Sequence, residues 1–469
     1  MPTGAHSSNI LWILRRNLFY AILLALLIIS RLAHSGALWE GEVLPLAAAL
    51  QMKRGAVLYR DIWFDKPPLV PAIYLLWGAA IGPVGRVAGA IYAWIVCLLG
   101  GAVAERLWGR REGHLASALF AFFLIFDIHS GVLPLAADLL LLAPHLAAIL
   151  LAIQKRPLLS GLAAGVGLLF NTKAVFALVA CAIFAWPQVA LLLAGFAIPN
   201  LLAIAWMWHS GALEPWLDQA WRWPALYAGS PVVANPIANG MVRTLNWLGF
   251  HAALVVGAVL AWRRDRNWKF LLWTGLAYAG VVLGWRFFPR YFFLLLPALA
   301  IPAARGLANL RSKALIALVG ISLVVPAIRF TPRYLSIQGW NDLAMDRDSR
   351  EAARLALRYA KPGSTLYVWG YRPEIFVYTG LKPATRYLDS QALTGVPADR
   401  HLTQSTVVLT KGTREARAEL AQSNADIVID GLSRYNPDLA MDRYPELRAW
   451  LAGYHRVAST PTAIIYARN

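Results

Sequence analysis

Apolar residues along this chain come in long unbroken runs separated by short polar clusters, and the runs stop near residue 330. They fall at 17–33, 68–83, 115–128, 135–153, 158–172, 174–208, 244–262, 270–285, 291–305 and 314–329, with 174–208 long enough for two spans broken near Pro187. Each approaches the ~20 residues that a helix needs to cross a bilayer core. A backbone in lipid must satisfy its own hydrogen bonds, and the runs lack the alternation of a membrane barrel, so the pattern predicts an α-helical polytopic membrane protein.

Basic clusters set the expected orientation. Arg15 and Arg16 precede the first run, which reads as a signal anchor with a cytoplasmic N-terminus. The clusters at 105–111, 154–157, 263–269 and 305–313 are expected on the same side. Parity then closes with about 11 crossings and the C-terminus outside. The run 68–83 resists that count, because a crossing there would place 105–111 outside. It reads as a partly inserted segment or one of a distorted pair, which gives about 11 to 13 transmembrane helices.

After residue 330 the pattern changes. Strand-like runs at 365–370, 374–378, 405–410, 425–430 and 462–467 alternate with helix-like stretches at 349–360, 413–422 and 445–454. The expected division is a membrane module over 1–329, with external loops 34–67 and 209–243, and a small external α/β domain over 330–469.

Composition fits this division. Of 469 residues, 58% are apolar and only 15% charged, more apolar surface than a water-soluble chain can hide. Mean hydropathy is +0.52. The net charge of +19 would suggest nucleic acid in a soluble protein, but 26 of the 44 basic residues lie in 1–329 against 11 acids. Positive loops there mark topology and anionic membrane lipid, with no nucleic-acid partner expected. Cys97 and Cys181 both lie in apolar runs, which excludes a disulfide framework.

Acids are costly near a bilayer. Glu40, Glu42, Asp61, Asp65, Asp127, Asp138, Glu214 and Asp218 all map to the predicted outer face, against Glu105, Glu112 and Asp265 inside. The first external loop is the most patterned. It opens on Trp39-Glu40-Gly41-Glu42 and closes on Tyr59-Arg60-Asp61-Ile62-Trp63-Phe64-Asp65-Lys66-Pro67-Pro68, where the chain re-enters lipid. A partly desolvated carboxylate at such a boundary can serve as a general base, and a lysine beside it can hold a phosphate. A surface ion pair, Asp65-Lys66, followed by a proline-initiated helix is the plainer account of the loop's end.

These residues resemble the polytopic GT-C glycosyltransferases, and among them the bacterial relatives of protein O-mannosyltransferases and of the lipid A aminoarabinose transferase. The resemblance extends through Pro134-Leu135-Ala136-Ala137-Asp138, Asn171-Thr172-Lys173, Arg286-Phe287-Phe288-Pro289-Arg290-Tyr291, Tyr367-Val368-Trp369-Gly370 and the final Tyr-Ala-Arg. It departs at the start, where relatives carry adjacent Asp-Glu and this chain has Glu40-Gly41-Glu42, so either glutamate can stand in the place of the catalytic aspartate.

The resemblance implies a GT-C-like membrane enzyme that moves a hexosyl or pentosyl group, with inversion, from a polyprenyl-phosphate sugar to a glycan, lipid or protein acceptor. It places that reaction at the outer face of the cytoplasmic (inner) membrane. Glu40 or Glu42 would be the base and Asp138 would orient it or the acceptor. Asp65, Lys66, Arg286, Arg290 and Tyr291 would hold the donor phosphate. Lys173 reads more readily as a lysine snorkelling from a span end than as a site residue. Asp127-Ile128-His129 leaves a divalent cation open, although a loop hydrogen bond accounts for that triplet as well. Trp216, Trp221 and Trp223 suit an interfacial aromatic belt or a sugar platform. The competing readings are a lipid or sugar transporter, which predicts mid-span acids and duplicated halves, and a non-catalytic envelope scaffold.

Overall fold

A computed structural model describes residues 4–228, 235–337, 339–396 and 411–469. Its N-terminal two-thirds is a helical bundle. The first helix, Gly4–Leu32, ends in a turn, and a second, Glu40–Lys53, starts from extended Trp39. Glu40 and Glu42 sit in the first turn of the second helix, where negative charge complements the helix dipole, and Glu42 Oε1 accepts the Trp39 N–H at 2.8 Å.

The ambiguous run 68–83 is not a long helix. It folds as a short helix, Leu69–Ala72, and a 3-10 turn, Ile73–Trp77, closed by Gly78 in the left-handed region (φ 69°). The long apolar helix lies just beyond it, Pro83–Trp108, with proline at its first position, and leads directly into the basic 105–111 cluster.

By length and composition, Pro83–Trp108, Val189–His209, Pro289–Ala308 and Lys313–Leu335 are able to cross a bilayer core. Ala137–Ile153, Pro157–Leu168 and Ala174–Ala185 are apolar but shorter, so the runs counted above as crossings divide into full-length helices and broken pieces. The expected single span 244–262 is one such case. Its helices Pro236–Phe250 and Ala252–Asp265 meet at 82°. The Trp247 carbonyl lies 3.0 Å from the His251 N–H and 2.9 Å from Nδ1, while His251 Nε2 lies 3.3 Å from Asp127, which anchors the bend.

Small residues let the helices approach. A Cβ at Gly161 or Gly195 would overlap the carbonyls of Leu192 and Leu158 across the pair Pro157–Leu168 and Val189–His209.

The C-terminal part contains a mixed five-stranded sheet, with β1 Thr365–Trp369, β2 Lys382–Pro383, β3 Ile427–Asp430, β4 Tyr454–Ser459 and β5 Ile464–Arg468 in the order β2-β1-β3-β5-β4. β1 is parallel to β2 and β3, and β5 is antiparallel to β3 and β4. The run 374–378, expected as a strand, is instead the helix Glu374–Thr379. Its buried Glu374 accepts a hydrogen bond from Ser349 at 2.7 Å and Gly380 caps it, and periodicity alone does not separate so short an apolar run from a strand. The expected strand 405–410 lies outside the described residues. β4 was not anticipated because its partly exposed edge position carries no apolar alternation.

This part is tied to the segment that follows the first helix. Leu38 N–H donates to Asp346 at 3.3 Å, Trp63 N–H to the Arg386 carbonyl at 2.8 Å, and Arg54 to the Gly380 carbonyl at 2.8 Å.

Candidate active site

A cavity of about 130 Å³ opens where the first loop, the 136–138 and 171–173 turns, the 286–291 turn and the C-terminal domain converge. Glu40, Asp65, Lys66, Asp138, Arg286, Arg290 and Tyr291 all line it. Seven chain segments thus meet at one polar pocket.

Local folding explains how each side chain arrives. Glu40 is the first residue of its helix, and Gly41 lets that helix end seat closely, since a Cβ there would lie 3.0 Å from the Ala136 side chain and 3.2 Å from that of Pro134. Asp65 and Lys66 end a loop that Gln219 clamps, its Oε1 accepting from Phe64 N–H and its Nε2 donating to the Tyr59 carbonyl, both at 2.9 Å. Tyr59, itself in the left-handed region (φ 67°), donates its hydroxyl to the Lys66 carbonyl at 2.7 Å. Trp285 (φ 53°) and Phe287 (φ 49°) flank Arg286 with left-handed backbone, a conformation costing on the order of 1–3 kcal/mol per residue that turns the arginine toward the cavity.

The charges are arranged in pairs. Lys66 Nζ lies 2.6 Å from Asp65. Asp138 accepts from Asn171 Nδ2 at 3.0 Å and lies 3.6 Å from Arg290 Nε. Lys173 Nζ sits 3.1 Å from the centre of the Tyr291 ring and has no hydrogen-bonding partner among the described residues. Burial lowers the Lys173 ammonium to about 8, with Asp138 opposing and Arg290 adding to the shift. Four cations, Lys66, Lys173, Arg286 and Arg290, thus face three carboxylates, Glu40, Asp65 and Asp138. One added negative charge, such as a phosphodiester, balances the pocket.

Glu42 is elsewhere, which corrects the expectation that either glutamate could face the site. Its carboxylate is buried in a two-point pair with Arg86, at 2.9 and 2.6 Å. Arg86 stands on the helix Pro83–Trp108 and also holds the His34 carbonyl at 3.2 Å. Other acids expected on the outer face are also occupied away from the cavity: Asp61 by Arg60 at 2.9 Å, Glu214 by Arg222 at 2.7 Å, with Asp218 on the same arginine.

Three contributors were not singled out from the sequence as site residues. Asn171 and Thr172 line the wall beside Lys173, and Tyr371 enters from the C-terminal domain. Burial, then the carboxylates of Asp65, Asp389 and Glu40, hold the Tyr371 phenol well above its ordinary value, so it stays a donor. Of these, Asn171 and Thr172 lay inside a quoted motif. Nothing in the sequence near Tyr371 links it to Glu40.

Asp127 and His129 do not come together as the cation pair their spacing left open. Asp127 is turned to His251 at 3.3 Å while His129 packs on His34 and Tyr334. Among the described residues no three His, Cys, Asp or Glu side chains are grouped to hold a metal.

No protein-family profile and no curated protein sequence matches the chain. Solved structures do. The fold is similar to that of ArnT from Cupriavidus metallidurans bound to undecaprenyl phosphate, at 15% identity and TM-score 0.61, covering 97% of this chain and 98% of that one. It is also similar to arabinofuranosyltransferase AftD from Mycobacteria, at 15% identity and TM-score 0.52, covering 96% of this chain and 40% of that one. A third is the apo oligosaccharyltransferase of Archaeoglobus fulgidus, at 12% identity and TM-score 0.50, covering 96% and 74%. The chain shares the fold of ArnT over nearly its whole length.

Proposed function

We propose that this chain is a multi-pass membrane glycosyltransferase that takes a sugar from a polyprenyl-phosphate carrier and passes it, with inversion, to an envelope acceptor at the outer face of the cytoplasmic membrane. The observation that carries the reading is the cavity in which Glu40 shares one chamber with Lys66, Lys173, Arg286 and Arg290. The likeness to ArnT bound to undecaprenyl phosphate supports the donor class.

In this reading Glu40 takes the proton of the acceptor hydroxyl as that oxygen attacks the anomeric carbon. The bond from that carbon to the carrier's phosphate oxygen breaks on the opposite face. Lys66, Arg286 and Arg290 stabilise the charge that grows on the departing phosphate. Asp138, fixed by Asn171 and Arg290, orients the acceptor, and Tyr291 packs under the Lys173 ammonium. The N-terminus is cytoplasmic, and residues 330–469 form the external domain.

Membranes bearing Glu40→Gln should transfer radiolabelled sugar from extracted carrier lipid about 10²–10⁴-fold more slowly than wild type at equal protein level. Wild-type rates in that variant would remove Glu40 as the base.

A further inference from the structure

A second cavity, of about 200 Å³, lies toward the other end of the segment that leaves the Glu40 chamber, and its chemistry is the reverse. The segment Pro289–Ala308 joins the two, since Arg290 and Tyr291 line the chamber while Leu299 and Pro302 line the second cavity. The other walls come from the helices Ala252–Asp265 and Trp268–Val282 and from Trp108 at the end of Pro83–Trp108. Ala252–Asp265 and Leu295–Ala308 touch at glycines, where a Cβ on Gly306 would overlap the Gly257 carbonyl. The hollow remains between that close pair and Trp268–Val282.

Its walls are hydrocarbon and rings. Val259, Trp262 and Leu271 line it and are themselves 44%, 44% and 50% exposed, so the hollow opens on the outer surface of the bundle. Thr274 gives its hydroxyl to the Phe270 carbonyl at 2.8 Å, and Asn267 Oδ1 accepts the Lys269 N–H at 3.1 Å. An apolar hollow of this kind holds water poorly.

The rim is charged. Asp265, which lines the cavity, lies 3.1 Å from Arg305 Nε and 3.9 Å from Arg264 Nε, and Arg305 Nη1 reaches Glu112 at 3.0 Å. Arg266 ends its helix in the left-handed region (φ 46°), between the lining residues Asp265 and Asn267. Arg263 and Arg266 are exposed and have no ion-pair partner among the described residues. Four arginines thus stand against two carboxylates, and positive charge is left over beside an apolar opening.

We propose that this cavity holds one acyl chain of an anionic glycerophospholipid whose phosphate rests against Arg263 and Arg266. A choline lipid would bring a cation of its own to the same arginines. A partner helix, about 10–12 Å across with its side chains, does not fit a hollow of this size, whereas a hydrocarbon chain does. The bound chain fills the space beside Ala252–Asp265 and steadies that arm of the 82° bend. The proposal requires that the chain span a membrane, and it does not depend on the transferase reading.

The test is native mass spectrometry of the full-length protein released from nanodiscs holding equal phosphatidylglycerol and phosphatidylcholine. Wild type should retain one phosphatidylglycerol per chain, and its unfolding midpoint should rise saturably as that lipid replaces phosphatidylcholine. Ala258→Phe, which fills the cavity and leaves the rim charge alone, should abolish retention. Arg263→Gln combined with Arg266→Gln should weaken it about 30-fold, from two lost cations beside an anionic lipid. Equal retention of both lipids by wild type overturns the site. So does retention in Ala258→Phe equal to wild type, which would reduce the effect to surface charge. A midpoint rise reproduced by glycerol phosphate alone, or displacement of phosphatidylglycerol by a polyprenyl phosphate, overturns it as well. The wild-type comparisons decide even where a variant fails to fold, and none of the readouts involves sugar transfer.

Discussion

Glu40 and Glu42 are two residues apart, yet opposite environments give them different work. Glu40 opens into a chamber with four cations, whereas Glu42 is spent on Arg86 inside the bundle. Removing one member of a buried pair leaves the other charge uncompensated, at a cost of roughly 3–5 kcal/mol. Glu42→Gln should therefore lower the unfolding midpoint and the amount of protein in the membrane. The protein that does fold should transfer sugar at a rate close to wild type. Midpoints read alongside specific activity check this. A variant that is stable but inactive would return Glu42 to the chemistry.

At the scale of elements, the start of the Glu40–Lys53 helix is positioned by contact with the 134–136 turn, and Gly41 is the residue that permits it. A Gly41→Val side chain would push that helix end away from Pro134 and Ala136 and carry Glu40 with it. The expected outcome is a loss of about 10²-fold or more in turnover, from a displacement of the order of 1 Å. The unfolding midpoint should shift much less than in Glu42→Gln. The departure from adjacent acids thus has a steric reason, since Gly41 occupies the tightly packed position between a cavity-facing and a core-facing glutamate. Elements were legible from the sequence where apolar runs were long, as at Lys313–Leu335. They were not where a break fell inside a run, as at His251, because hydropathy counts apolar residues and does not register a side chain capturing its own helix's carbonyl.

At the scale of the whole molecule, the C-terminal domain completes the cavity with Tyr371 and stands Asp389 near Asp65 and Lys66. Burial raises the Asp389 carboxyl to about 7, against the opposing hydrogen bonds from Gln391. Between pH about 4 and 7 the folded chain keeps a proton that the unfolded chain has released, so this residue's contribution to stability is fullest at the acid end and is lost as pH rises. Asp389→Asn should gain stability relative to wild type as pH climbs through that window, as melting curves at successive pH values would reveal. A constant difference between the two proteins would show that Asp389 ionises in the folded state as it does in the unfolded one.

The sequence by itself determined that this chain is built of apolar helices with an α/β appendage. Charge near lipid also marked Glu40, Glu42, Asp65, Asp138, Arg286 and Arg290, because charge beside an apolar run is a local property, while Lys66 and Tyr291 entered through the family resemblance. Only the tertiary structure decided which glutamate faces the cavity and that Lys173 and Tyr371 share it. Those facts depend on which segments distant in sequence pack together, and no local pattern encodes the distance between two side chains a hundred residues apart.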